Sequence, residues 1–288
     1  MKFTKKTLVE TLKAKTDGKT SYQARKIAKV SVRRVDELWK EYLTTGEIPV
    51  VGKGVGRPAI PIEDWEKKLV KNFYEKYRVS ADTLRRLIER DEKSHISHYR
   101  INKILLDLGY AKKKEFRKRK IDWIRYERMH SLTAVHIDWH YNGIVWVFAV
   151  IDDASRKILA LIECNSPTTE KSIEGMLLAL KHGEIEQCIS DRGSQFMNNM
   201  EGYSRFQEFL AEQEIRHIKC KIKHPQSNGK IEKWFECYDR HRKAYKTIKD
   251  FLHWYNELRP HRSLKFEMLE TPEQAYQRKK KEGRLYLT

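Results

Sequence analysis

Three acidic residues of this chain occupy positions from which they could share a metal ion. Asp138 lies within an apolar stretch that predicts a β-strand, where a buried carboxylate is costly unless a cation or a proton compensates it. Asp191 follows a second predicted strand at the start of a loop, and strand ends are where sites form in such sheets. Glu232 lies at the edge of the apolar stripe of a long predicted helix, from which it can point at the end of the sheet.

Carboxylates that gather near one point repel each other unless hard divalent cations lie between them. Mg²⁺ prefers oxygen ligands and keeps several of its waters. Two such ions, roughly 3.5–4 Å apart, activate an attacking oxygen and stabilise a leaving one. The three acids therefore predict a site for Mg²⁺ or Mn²⁺, with two ions, and the chemistry of phosphodiester cleavage and transfer.

Other titratable residues near Asp138 have simpler structural interpretations. Asp152 and Asp153 lie in a predicted hairpin, where Asp commonly caps turns, and we expect them to do so. His136 and His140 share a strand face with Asp138 by alternation. We expect them to be structural, with tuning of the metal as the alternative.

The elements that must position the acids are predicted from the spacing of apolar residues. Runs of β-forming residues separated by short turns predict an antiparallel meander over 133–141, 144–151 and 157–163. The later predicted elements are a helix at 168–181, a strand at 185–190, a helix at 203–213, a strand near 215–220 and a long helix from near Asn228. Strands interleaved with helices after a meander predict an α/β fold with a mixed five-stranded sheet flanked by helices.

The first 50 residues predict an all-α domain of the helix-turn-helix type. Three short helices with a turn before the last have the pattern of this DNA-binding motif, and an ordinary three-helix bundle is the alternative. Ser31 can cap the third helix and Gly46 can end it. The residues predicted to face DNA from this helix are Ser31, Arg33, Arg34 and Glu37.

Residues 51–60 are rich in Gly and Pro and predict a linker. Arg57 lies in a Gly-Arg-Pro core like that of an arm in the DNA minor groove, and a plain linker is the simpler alternative. Residues 61–112 predict a second helix-turn-helix-like domain, with protein–protein contact as its alternative role. Its first helix carries an apolar stripe of Trp65, Leu69, Phe73 and Tyr77.

The remaining chain predicts a basic connector at 113–130, a sheet-bearing domain at 131–250 and a helical basic tail at 251–288. A run of basic residues begins just before the connector, and three of its lysines are predicted to contact DNA: Lys112, Lys113 and Lys114. The alternative for this run is a solvated linker.

Charge is unevenly distributed along the chain. The net charge is +19, with +16 over residues 1–130, −3 over 131–240 and +6 over 241–288. Basic flanks around a slightly acidic middle favour binding to a polyanion, because cationic surfaces release the counterions of nucleic acids. We therefore expect double-stranded DNA as a partner.

The same survey argues against several classes of protein. No apolar run approaches the roughly 18 residues of a membrane span, and the N-terminus lacks the apolar stretch of a signal peptide. The four cysteines are too far apart in sequence for a zinc module, and we expect them to be reduced and mostly buried. These features predict a cytoplasmic protein without a membrane partner, associated with the nucleoid if the source is a prokaryote.

Three segments resemble the motifs of a known family. VHIDWH, SDRGSQF and HPQSNGKIEKWF resemble those of the DDE transposase and retroviral-type integrase catalytic core family, in particular insertion-sequence transposases with an N-terminal helix-turn-helix. The resemblance covers roughly residues 130–275, and the third motif is the most specific. It implies an RNase H-like fold for 131–250, with Asp138, Asp191 and Glu232 as the catalytic and metal-binding acids.

The resemblance also implies how the core meets DNA. Asn228 would belong to a mobile loop near the DNA end, together with residues 225–227, and Lys230 and Lys233 would contact phosphate. Where retroviral integrases have basic residues after the glutamate, this chain has Glu236 and Asp239. The implied partners are the terminal repeats of a mobile element, target DNA and further copies of the chain in a synaptic complex.

Taken with the residues, the resemblance predicts a transposase or integrase that nicks DNA and transfers strands, a DDE-type polynucleotidyl transferase. One alternative is a domesticated DNA-binding regulator that no longer cuts, which the intact acid triad argues against. Another is a nuclease for RNA–DNA hybrids with the same fold. The two predicted helix-turn-helix units favour duplex DNA instead.

Overall fold

The structure is a computed structural model that describes residues 4–50, 60–112, 127–197, 202–220 and 228–285. The chain divides into two compact units, Met1–Pro61 and Ile62–Thr288. Arg57, Lys113 and Lys114 lie outside the described residues, so their predicted DNA contacts stay predictions.

The first unit consists of three short helices, α1 (Lys5–Thr16), α2 (Ser21–Ala28) and α3 (Val32–Thr45). The hydroxyl of Ser31 accepts the N–H of Arg34 at 3.2 Å, which caps α3 as predicted. Gly46 ends α3 in the left-handed region at φ 70°, a conformation that glycine adopts without strain. The buried apolar residues of the unit are Leu8, Leu12, Ala24, Ala28, Val35 and Leu38.

The second unit begins with three more helices, α4 (Asp64–Tyr77), α5 (Ala81–Glu92) and α6 (His98–Asp107). Their apolar core includes Leu269 from the C-terminal part of the chain. On α4 the predicted stripe is wrong at Trp65, which is 49% exposed, while its neighbour Glu66 is buried. The reason is an ion pair between Glu66 and Arg100 of α6, which turns Glu66 toward the interior.

A five-stranded mixed sheet follows, as predicted. Its strands are β1 (Val135–Tyr141), β2 (Trp146–Asp152), β3 (Ile158–Cys164), β4 (Gln187–Ser190) and β5 (Arg216–Lys219), in the spatial order β3-β2-β1-β4-β5. The first three strands are antiparallel neighbours, whereas β4 pairs in parallel with both β1 and β5. The RNase H-like fold class is therefore confirmed.

Helices cover both faces of this sheet. Helices α7 (Thr169–Leu180) and α8 (Arg205–Glu212) pack on one face around Phe148. Helix α9 (Gly229–His241) and helix α10 (Ile248–His253) pack on the other face. Helix α10 continues into a π-helical turn, Trp254–Leu258, and the final helix is α11 (Pro272–Leu285).

The π-helical turn attaches the C-terminal segment to the edge strand β3. The side-chain amide of Asn256 accepts the N–H of Ile158 at 2.9 Å and donates to the carbonyl of Ile158 at 3.0 Å. Asn256 thereby satisfies two backbone groups on the edge strand of the sheet. It does so from a position only 7% exposed, so the segment after residue 250 completes the core of this unit.

Two further expectations concern cysteines and membranes. All four cysteines are free, but only Cys188 is buried and the other three are half-buried, so the expectation of mostly buried cysteines is wrong. Within the described residues, none of the helices combines the length and the apolar character that crossing a bilayer requires.

Candidate active site

The parallel pairing of β1 with β4 brings two of the predicted acids to adjacent strands. Val135 pairs with Cys188 and His136 with Ile189. Continuing this register by two residues places Asp138 opposite Asp191, which directly follows the last residue of β4. Neighbouring strands lie about 4.8 Å apart, so the register sets the two carboxylates side by side at one end of the sheet.

Helix α9 brings the third acid to the same face of the sheet. His136, Asp138 and His140 share that face by alternation, and the ring of His140 stacks on Phe235 of α9 with centroids 4.7 Å apart. Ile231 of the first turn is buried, while the adjacent Glu232 is exposed. Glu232 therefore projects from the edge of α9 nearest its N-terminal end, as its place beside the apolar stripe predicts.

The charges of two of the acids, Asp191 and Glu232, affect the pKa of the third, Asp138. Burial, together with the negative charges of Asp191 and Glu232, raises the pKa of Asp138 to about 7. Two hydrogen bonds act in the opposite sense, from the N–H of Trp139 at 2.8 Å and from the amide of Asn228 at 2.9 Å. A cation bound beside Asp138 would stabilise its ionised carboxylate.

The donor chemistry at this end of the sheet fits a hard divalent cation, because all three side chains are carboxylates. In the described ranges, however, no three His, Cys, Asp or Glu side chains are close enough together to ligate one ion. The residues before Glu232, 221–227, lie outside the described part of the chain. The three acids thus share a face and an electrostatic field without forming a closed ligand set.

The loop after β4 holds Asp191 through a tight turn. The carboxylate of Asp191 accepts the N–H of Gly193 at 2.9 Å. A Cβ atom at Gly193 would lie 2.7 Å from the side chain of Gln195 and 3.1 Å from the carboxylate of Asp191. Glycine is therefore required at this position if the turn is to keep the carboxylate where it is.

A chain of buried polar groups supports Asp138 from behind. The side-chain amide of Asn228 donates to Asp138 through its nitrogen, and its oxygen Oδ1 lies 3.3 Å from Nδ1 of His136. Nε2 of His136 lies 2.7 Å from Asp153, which also forms an ion pair with Lys230 of α9. Each side chain in this series is fixed by the next, so the orientation of Asp138 depends on Asn228, His136 and Asp153.

Asp153 is the residue that sequence reasoning missed. The expectation that it caps a turn is wrong, because its carboxylate bonds to His136, Lys230 and the N–H of Arg128. Burial raises the pKa of Asp153, but the hydrogen bonds from His136 and Lys230 outweigh this and hold the pKa well below its usual range. Burial and the charge of Arg156 lower the pKa of Lys230 to about 8.

The neighbouring Asp152 does cap its turn, as expected. Its carboxylate accepts the N–H and the hydroxyl of Ser155, and also the N–H of Leu132 at 2.8 Å. Of the two histidines, His136 is fully buried in the polar series and His140 bonds to Asp239 at 3.0 Å. Nothing in the sequence near Asp152 and Asp153 distinguishes the two roles.

The predicted DNA-facing residues of the core lie in different environments. Asn228 is only 6% exposed, so its side chain belongs to the acid site rather than to the surface. Lys230 is largely buried in its pair with Asp153, whereas Lys233 is exposed and pairs with Glu236. Lys112 is exposed at the end of the described helical segment.

The predicted recognition residues of α3 form one exposed cluster. Arg33 and Arg34 both pair with Glu37, at 3.2 and 3.0 Å. Ser31 is exposed beside them while its hydroxyl caps the helix. The surface is thus open to a partner, and the nature of that partner stays a prediction.

The comparison with known families identifies the sheet-bearing segment. The integrase core domain family matches residues 130–225, a range that contains all five strands together with Asp138 and Asp191 and ends before Glu232. This part of the chain is therefore similar to integrase core domains. The family resemblance that the three motifs predict is therefore confirmed.

The chain is similar to a viral protein named "Putative integrase ORF3", from Spiroplasma virus SpV1-C74. The two are 26% identical over 145 residues, which cover 42% of this chain and 40% of the viral protein. The chain thus matches less than half the length of that relative.

Two solved structures resemble parts of the chain. One is the simian T-cell lymphotropic virus intasome in complex with PP2A regulatory subunit B56 gamma, where the likeness covers 72% of this chain and 74% of the other at 15% identity and a TM-score of 0.43. The other is the catalytic core domain of BIV integrase, with 54% and 98% coverage, 15% identity and a TM-score of 0.42.

Proposed function

We propose that this protein is a transposase or integrase that binds the ends of a DNA element, cleaves a phosphodiester there and joins the freed strand to target DNA. The observation that carries the proposal is the parallel register of β1 and β4. It sets Asp138 beside Asp191 on the face that α9 covers, where both Asp191 and Glu232 raise the pKa of Asp138. The integrase core domain at 130–225 supports the same reaction class.

The acids would hold Mg²⁺ or Mn²⁺, with two ions, through Asp138, Asp191 and Glu232. Such ions would supply activation of the attacking oxygen and stabilisation of the leaving one. The chain's own part is positioning. Asn228 orients the carboxylate of Asp138, the Gly193 turn orients Asp191, and the first turn of α9 orients Glu232. A geometry fixed before substrate arrives lowers the entropic part of the barrier.

Recognition of the DNA would fall to the N-terminal helices. Arg33 and Arg34 at the start of α3 are exposed and could read base edges in the major groove. Joining two ends requires two active sites, so we propose that the chain works as a homo-oligomer on duplex DNA in the cytoplasm, next to the nucleoid if the source is prokaryotic.

The direct test is a nicking assay with the purified full chain. The substrate is a labelled duplex carrying the DNA that flanks the gene, incubated with Mg²⁺ or Mn²⁺, and the nicks are mapped to the nucleotide. We expect nicks at the element ends. Asp138→Asn should abolish them and keep DNA binding, because the substitution preserves shape and removes one anionic donor.

Asp239→Asn is the matched control. It changes a carboxylate on the same helix as Glu232, two turns further on, where Asp239 bonds to His140. We expect its nicking to equal that of the wild type. Undiminished nicking by Asp138→Asn would overturn the assignment of the acids. End-specific binding without any nicking would identify a regulator instead.

A further inference from the structure

A cleft beside the N-terminal end of α9 is lined by basic side chains and, within the described residues, by no acidic ones. The five basic residues are Arg156, Lys230, Lys233, Arg259 and His261. Its volume is about 210 Å³. That is less than the roughly 300–1,000 Å³ of pockets that bury small organic ligands. The basic cleft, as we call it, therefore has room for a group of about the size of a phosphate.

Three residues that line the basic cleft each carry a buried N–H donor without an acceptor in the part of the chain that the structure describes. The donors are Nη1 of Arg156, Nε1 of Trp234 and Nε of Arg259. Arg156 is 4% exposed and Trp234 is 2% exposed. An unsatisfied buried donor costs about 1–3 kcal/mol. Among the described residues, three donors around one cleft thus have capacity to bind an acceptor.

The remaining interactions of these side chains hold them in place. Nη2 of Arg156 donates to Glu127 at 2.8 Å. The guanidinium of Arg259 lies over the rings of Trp254 and Tyr255, 5.7 and 5.6 Å from their centroids. Donors fixed in this way are arranged for a ligand before it binds.

The first turn of α9 adds to the positive field. Gly229 and Lys230 line the cleft at the start of a 13-residue helix. The side chain of Asn228 does not cap this helix, and the positive end of a helix dipole favours an anion. Helix end, arginines and lysines thus all favour the same kind of ligand, an oxyanion.

We propose that the basic cleft binds a phosphate of the DNA backbone, next to the acid site. This inference rests on the proposed function for the identity of the anion. Helical geometry places Glu232 on nearly the opposite side of α9 from Lys230, since successive residues are about 100° apart. A strand that passes over the N-terminal end of α9 therefore reaches the acids on one side and the cleft on the other.

The test measures how DNA affinity depends on salt, without Mg²⁺. The full chain is titrated with a short fluorescent duplex of arbitrary sequence at several NaCl concentrations. Each neutralised phosphate contributes about 0.9 to the slope of log K against log salt concentration. Arg259→Gln should reduce this slope by about 0.9, whereas Arg240→Gln, an exposed change on α9 outside the cleft, should leave it unchanged.

Trp234→Phe is the second variant, and it keeps the proposal testable if Arg259→Gln does not fold. It removes one N–H and keeps most of the packing, so affinity should fall several-fold with an unchanged slope. Wild-type slope and affinity in both variants, at an unchanged melting temperature, would overturn the proposal.

Inorganic phosphate alone separates a free anion from a DNA phosphate. Phosphate could raise the melting temperature of the wild type but not that of Arg259→Gln, while the two proteins show the same slope of log K for DNA against log salt concentration. In that case the cleft is a site for free phosphate and the proposal fails. The outcome is independent of the nicking assay. Unchanged slope and affinity in the variants, together with nicking by the wild type, contradict only the cleft. A reduced slope in Arg259→Gln without any nicking by the wild type contradicts only the proposed function.

Discussion

Replacing Asp153 by Asn should destabilise the second unit more than most single substitutions do. Asp153 is fully buried and is the counter-ion of Lys230, whose side chain is 15% exposed. Removing one partner of a buried pair costs about 3–5 kcal/mol, because the other charge stays behind without compensation. A unit of this length loses about 2–4 °C of melting temperature per kcal/mol, so we expect a drop of about 6–20 °C.

Urea unfolding followed by tryptophan fluorescence reports on this unit. Of the seven tryptophans, all but Trp39 belong to it. The control is the double variant Asp153→Asn with Lys230→Met, which also removes the stranded cation. The double variant should lose less free energy of unfolding than Asp153→Asn and Lys230→Met lose in sum, by about 0.5–3 kcal/mol. A single variant within about 1 kcal/mol of the wild type, or strictly additive losses, would refute the reasoning.

The same variant has a defined pH dependence. The pKa of Asp153 is lower in the folded chain than its unfolded value of about 3.9. Its contribution to stability is therefore fully present above that value and is lost as the pH falls toward the folded pKa. The deficit of Asp153→Asn should stay constant between about pH 7 and 5 and narrow only below about pH 4. A deficit that already narrows near neutral pH would point to another group.

Three further predictions concern other parts of the chain. Since the pKa of Asp138 is raised to about 7, the wild type should lose stability as the pH rises from about 4 to 7. The melting temperature of Asp138→Asn should therefore rise relative to that of the wild type between pH 5 and 8. Mg²⁺ should raise the melting temperature of the wild type only. Parallel curves of melting temperature against pH for the two proteins would contradict this. Gly175→Ala should cost about 1–3 kcal/mol in urea unfolding, because its Cβ would lie 2.3 Å from the ring of Phe148, whereas the exposed Glu174→Ala should cost little. Replacing Arg33 and Arg34 by Ala should leave the melting temperature nearly unchanged, because exposed ion pairs contribute about 0–1 kcal/mol. The same change should reduce the preference of the protein for end DNA over scrambled DNA, and an unchanged preference would count against a recognition helix.

The sheet could be predicted closely because its signals are local. Alternation and the turn residues placed the first strand at 133–141, and the structure has Val135–Tyr141. The third strand, predicted at 157–163, runs from Ile158 to Cys164. Apolar strands bounded by polar turns leave little freedom in register, because a shift of one residue would turn the apolar side chains to the wrong face.

What could not be predicted depends on contacts between distant residues. Glu66 is buried because Arg100 pairs with it, and no periodicity on α4 contains that information. Asp153 joins His136 and Lys230 across 17 and 77 residues, while its sequence neighbour Asp152 caps a turn. The basic cleft is assembled from segments that only the folded sheet brings together.

The hydrogen bonds between the amide of Asn256 and the edge strand β3 limit where the chain can be truncated. A fragment that stops at residue 250 would leave both peptide groups of Ile158 without partners, on a strand rich in apolar residues. It would also uncover the aromatic side of α9 against which Phe251, Trp254 and Tyr255 pack. Exposed strand edges of this kind recruit further strands from other molecules. Such a fragment would carry all three acids and still be prone to aggregate, so protein for biochemical work should extend through α11.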